Sequence, residues 1–178
     1  MNKKEVIKEA KDLLKKGDSK QDAYLVLKEK YKSPKEIAEL LKNIPSTLAI
    51  EKYIKWNYTL LALLIVTTAI VMSINPLIGF LIWYGFIIFI VARVLVKYYY
   101  WVSMMTGFGL FGGIILAITS NEEINWIGTS LILILIIPSF ILSIWLPKKL
   151  CPPPVEKKVK YFDKTGLQRL KLVYEFAD

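Results

Sequence analysis

The chain has no histidine and one cysteine, Cys151, in 178 residues. The first absence removes the commonest metal ligand, proton shuttle and general base. The second excludes an intramolecular disulfide and any cysteine-based zinc site. Charge is scarce over one long stretch. Between residues 56 and 145 the charged side chains are Arg93, Lys97, Glu122 and Glu123. Coupled transporters place ionisable groups at depth, so this scarcity argues against proton- or sodium-coupled transport. Met1-Asn2-Lys3-Lys4-Glu5 is polar and carries no apolar h-region, which predicts no cleavable signal peptide.

Apolar residues make up 54% of the chain and concentrate in that uncharged stretch. Four runs stand out, at residues 57–74, 77–96, 102–120 and 126–145. Each is close to the ~20 residues that cross ~30 Å of hydrocarbon as a helix. The expected fold is an all-α polytopic membrane protein. It has a helical cytoplasmic segment (1–55), a four-helix transmembrane domain (56–146), a Pro-rich spacer (147–154) and a C-terminal β-hairpin (155–178). The net charge of +9 divides as +5 on residues 1–55, zero in the middle and +4 on residues 146–178. Basic flanks of this kind suit orientation and anionic headgroups better than nucleic acid.

The loops give the orientation. Asn75-Pro76 is uncharged, and the loop holding Glu122 and Glu123 is acidic. Lys52 and Lys55, Arg93 and Lys97, and Lys148 and Lys149 all fall on the other side of a four-span chain. The positive-inside rule makes that side cytoplasmic, with both termini there. Tyr53, Trp56, Tyr58, the run Tyr98-Tyr99-Tyr100-Trp101, Trp126 and Trp145 read as aromatic belts at headgroup depth.

Three short helices are predicted before the first span. Val6, Ile7, Ala10, Leu13 and Leu14 form a stripe ended by Gly17. A second helix starts at Asp18 or Ser19 and presents Ala23, Tyr24, Leu27 and Tyr31. Ser33-Pro34-Lys35-Glu36 predicts a capped third helix, and Ile44-Pro45 ends it. Ser46 can cap a fourth helix that runs into the membrane. Lys35-Glu36-Ile37-Ala38-Glu39-Leu40-Leu41, followed by Ile44-Pro45-Ser46-Thr47-Leu48, resembles a helix-turn-helix over roughly 20 residues. That resemblance implies duplex DNA binding. The usual turn glycine is absent, and the recognition helix would run into the first span. A helical docking domain is therefore the expected role of the segment.

Few residues single themselves out as sites, and none as a cofactor ligand. Arg93 sits near the cytoplasmic end of the second run, where it can snorkel or contact a carbonyl or lipid phosphate. Gly107, Gly109, Gly112 and Gly113 concentrate small residues in the third, and Gly109 with Gly113 forms a GxxxG for close packing within a chain or between copies. Hydroxyls such as Thr67, Thr106 and Ser139 are expected to bond back to helix carbonyls, or to line a pore if copies assemble. Pro138 should kink the fourth span. Cys151 is juxtamembrane, an idle thiol or a lipidation point. Leu170, Leu172, Tyr174 and Phe176 share one face of the second hairpin strand. Two strands alone are marginal in water, so the hairpin should lie on the helical segment, pair with a second copy or extend a partner's sheet.

Two functions follow as expectations. The first is a non-enzymatic scaffold whose cytoplasmic ends bind a protein partner or another copy. The second is a homo-oligomeric pore or membrane-perturbing effector with Glu122 and Glu123 as an outer acidic ring. An enzyme would have to draw on Glu122, Glu123 or Tyr98 to Tyr100, a poor set for acid–base work. Lys-, Ile- and Asn-rich usage resembles that of bacterial inner-membrane proteins from AT-rich genomes.

Overall fold

The structure, a computed structural model, describes residues 2–74, 78–119, 126–162 and 168–176, with the side chains of 74, 78–81, 112–119 and 126–129 set aside. Among the described residues the chain is mostly helical, with seven α-helices, a short 3-10 turn and one antiparallel hairpin. It divides into two compact units. One holds residues 1–52 and 148–178, the other residues 53–147.

The first unit opens with α1 (Lys3–Lys15), where Asn2 accepts from the Lys4 amide at 3.2 Å. Gly17 follows it with φ +95°, a conformation glycine adopts without steric cost. Helix α2 (Lys20–Tyr31) starts at Ser19, whose side chain accepts from the Asp22 amide at 3.0 Å and donates to the Asp22 carboxylate at 2.7 Å. Helix α3 (Pro34–Leu41) begins at the expected proline, but Ser33 makes no side-chain cap hydrogen bond. Its φ of −122° and ψ of 72° do not match the extended backbone seen at the Ser19 cap.

Val6, Ala10 and Leu14 of α1 recur every four residues and so share a face. They meet Ala23, Tyr24 and Leu27 of α2 and Ile37, Ala38 and Leu41 of α3. The hairpin strands, β1 (Val155–Phe162) and β2 (Gln168–Glu175), pair from Val155 with Glu175 to Phe162 with Gln168. Tyr174 and Phe176 complete the helical core. The Tyr24 ring lies 6.2 Å from that of Tyr174 and 5.5 Å from that of Phe176. The Phe176 amide donates to the Gln21 side chain at 3.0 Å. Of the three places open to the hairpin, the structure shows the helical segment.

Helix α4 (Thr47–Ile74) starts after Ser46, which accepts from the Ala49 amide at 3.2 Å, and continues unbroken for 28 residues. The second unit takes most of it, with α5 (Ile78–Ala92), the 3-10 turn (Val96–Tyr98), α6 (Tyr99–Thr119) and most of α7 (Trp126–Leu150). Two stretches, Thr47–Ser73 and Ser130–Leu150, are long and apolar enough to cross a membrane by length and composition. Among the described residues only these two of the four expected spans meet that measure.

Three boundaries differ from the sequence reading. The run 77–96 stops as a helix at Ala92. The Val94 amide donates to Val91 and the Leu95 amide to Ile90, with Val94 at φ +50°. This is the bonding of a Schellman stop, with valine where glycine is usual. At ~1.5 Å per residue α5 rises only about 22 Å. Tyr99, Tyr100 and Trp101, expected in the loop, belong to α6 instead. At the other end α7 runs through Pro147 to Leu150, beyond the expected end at 145, because proline can be carried inside a helix at the cost of a hydrogen bond.

The outward surface of the second unit is apolar. Ile82, Trp83, Phe86 and Phe89 of α5 are exposed, as are Phe108 and Phe111 of α6 and Ile134, Ile137 and Ile141 of α7. A surface this apolar suits lipid far better than water.

Candidate functional site

Among the described residues, the second unit holds a polar knot in an apolar setting. Asn57 of α4 is buried, and its side-chain amide donates to the Val91 carbonyl at 3.0 Å. The Tyr99 hydroxyl of α6, also buried, donates to the Asn57 carbonyl oxygen. One amide therefore joins three helices beside the Val94 stop. A buried amide left without partners would cost about 1–3 kcal/mol, so the pairing fixes how these helices meet. Sequence reasoning placed Tyr99 in an aromatic belt and passed over Asn57. The available signal was a lone amide at the head of an apolar run.

Arg93 lies just past the end of α5, exposed, with its guanidinium 5.9 Å from the Phe89 ring centroid. Its amide donates to the Phe89 carbonyl at 3.0 Å. Gly107 and Gly109 face α7: a Cβ on Gly107 would lie 3.1 Å from Phe140, and one on Gly109 3.4 Å from Ile136. Gly112 and Gly113 fall within α6, but their surroundings are outside the described side chains. Glu122 and Glu123 lie outside the described residues. Among the described residues, the hydroxyls of Thr59, Thr67, Thr68, Ser73, Ser103, Thr106, Ser139 and Ser143 return to carbonyls of their own helix. Trp145 packs on Tyr53 and Trp56, with centroids 5.7 and 5.8 Å away.

The first unit contains a buried lysine that the sequence pattern did not single out. Lys20 is buried, 1% exposed, beside the buried Cys151. Burial raises the Cys151 pKa, while the charge and hydrogen bond of Lys20 pull it down. The thiol therefore sits inside the unit. On the surface, Glu9 accepts from Lys30 at 2.8 Å and from the Tyr31 hydroxyl at 2.8 Å. These bonds hold the Glu9 pKa below its ordinary value. Among the described residues no three His, Cys, Asp or Glu side chains gather as a metal site.

The helix that would read DNA is the start of the 28-residue α4. Its first turns are tied to α1, with the Thr47 hydroxyl donating to the Leu14 carbonyl at 3.1 Å. No known protein family, no curated protein and no solved structure matches this chain.

Proposed function

We propose that the chain is a four-span membrane protein with both termini in the cytoplasm. It acts as a non-enzymatic scaffold, docking a protein partner or a second copy through its folded ends. The observation that carries this reading is the composition of the first unit. Residues 1–52 and 148–178, separated by the apolar middle, share one core. Chain ends that pack together lie on one side of a membrane, so the number of crossings is even. Four apolar runs satisfy that parity, and the lysines around the ends favour the cytoplasmic side. The exposed apolar faces of α5, α6 and α7 support a lipid surround. The return of hydroxyls to their own helices supports a packed bundle over a polar lining.

Native mass spectrometry of the chain in nanodiscs tests the reading. One or two copies per disc are expected. A ring of four or more, with conductance in liposomes, would replace the scaffold by the homo-oligomeric pore.

A further inference from the structure

The hairpin carries an apolar face that begins in the core and continues past it. In an antiparallel pair, residues directly opposite share a face. The face holding Tyr174 and Glu156 also holds Leu172 with Lys158, Leu170 with Lys160, and Gln168 with Phe162. Tyr174 is buried, but Leu170 is 64% and Phe162 73% exposed. At ~3.4 Å per residue, Leu170 lies about 13 Å beyond Tyr174 along the strand. Lys158 and Lys160 are exposed between these apolar side chains. The opposite face adds Val159 with Lys171 and Tyr161 with Arg169. The described strands carry Lys157, Lys158, Lys160, Arg169 and Lys171 against Glu156 and Glu175, and Glu175 pairs with Lys157 at 2.6 Å.

We propose that the outer half of this hairpin is a docking surface for an anionic lipid bilayer, an inference that rests on the membrane reading above. Phe162, Leu170 and Leu172 enter the headgroup–acyl boundary, and Lys158 and Lys160, on the same face, meet anionic headgroups. The complementarity is twofold. Apolar side chains at alternate positions need a non-aqueous phase, and cations at the positions opposite them need negative charge at its edge. A protein groove would have to supply both at the same spacing, whereas an anionic bilayer supplies them everywhere. The tether is short as well. Leu150 ends α7, and the chain from there to Phe162 reaches no further than about 40 Å.

The test uses the full wild-type chain in nanodiscs carrying a photoactivatable headgroup lipid, with cross-linked peptides identified by mass spectrometry. One set of discs is zwitterionic phosphatidylcholine, and the other contains phosphatidylglycerol. Adducts at 155–162 and 168–172 are expected in the anionic discs and are expected to be scarce in the zwitterionic ones. The K158E/K160E variant is expected to lose them by tenfold or more, because each lysine contributes about fivefold to partitioning. Both lysines are exposed, so the core is untouched. Adducts on α4 and α7 serve as the internal control. Their loss would overturn the membrane reading itself. Their retention with a lipid-free hairpin would overturn this inference alone. Equal hairpin labelling in both lipids, or chain-to-chain adducts there in its place, would also overturn it.

Discussion

Phe176 decides whether the two chain ends form one cooperative body. Its ring is nearly buried and packs 5.5 Å from Tyr24 of α2, about 150 residues away in sequence. Truncating a buried phenylalanine to alanine costs about 3–5 kcal/mol. Part of that is the aromatic pairing with Tyr24, about 0.5–1.5 kcal/mol. The unit contains about 80 residues, and at roughly 0.05–0.15 kcal/mol per residue its stability is about 4–12 kcal/mol. Phe176→Ala therefore removes a large share of it. Loss of ~3 kcal/mol corresponds to roughly a hundredfold increase in the opened population.

Amide hydrogen exchange on the full chain in nanodiscs reads this directly. In Phe176→Ala, the slowest amides of α1, α2 and α3 should exchange roughly a hundredfold faster, although none is near the substitution in sequence. Phe176→Leu keeps most of the volume and should show a much smaller change. Acceleration confined to β1 and β2, with α1 to α3 unchanged, would refute the shared core. It would also remove the parity argument for an even number of crossings.

Three further outcomes follow from the geometry. Asn57→Leu removes both the donor to Val91 and the acceptor of Tyr99. It should cost about 1–3 kcal/mol in detergent unfolding, and adding Tyr99→Phe should cost little more, whereas full additivity would break the network. At position 94 the left-handed backbone should reverse the usual order: Val94→Gly should be more stable than Val94→Ala by about 1 kcal/mol, and alanine ranking above glycine would contradict the Schellman stop. The Glu9 carboxyl is more acidic folded than unfolded, so its contribution is present above the ordinary value of ~4.3 and is lost as pH falls through the lower folded value. Thermal melts of wild type should therefore fall more steeply than those of Glu9→Gln below about pH 4.3, and parallel curves would remove the role of the Lys30 and Tyr31 contacts.

What the sequence made legible was local. The four-residue spacing of Val6, Ala10 and Leu14, the Ser19 cap and Gly17 each act within one turn of chain, and the structure has all three. What it hid depends on partners far away. Valine at 94 is a poor left-handed residue by propensity, so nothing local announces that α5 stops at Ala92. In Tyr98-Tyr99-Tyr100-Trp101, composition cannot tell which ring turns inward, and only the meeting with Asn57 selects Tyr99. Alternation put Leu170, Leu172, Tyr174 and Phe176 on one face. Where that face passes from core to solvent is set by the edge of the helices, which no strand pattern encodes.

The same non-locality has a consequence for assembly. Residues 1–52 are synthesised before the apolar helices, yet the Tyr24 side of their core is closed by Tyr174 and Phe176, which are synthesised after them. A helical segment of about 50 residues is at the lower limit for an independent core. Until the last apolar helix is complete and the hairpin returns, the surfaces of α2 and α3 that hold it stay open. The first unit should therefore form only after α7 is complete. A chain stopped after residue 147 should insert into the membrane but leave α1 to α3 open to protease, and adding residues 148–178 in the same chain should restore resistance. Equal resistance with and without 148–178 would show that the helices fold alone, and that the hairpin is an ornament on their surface.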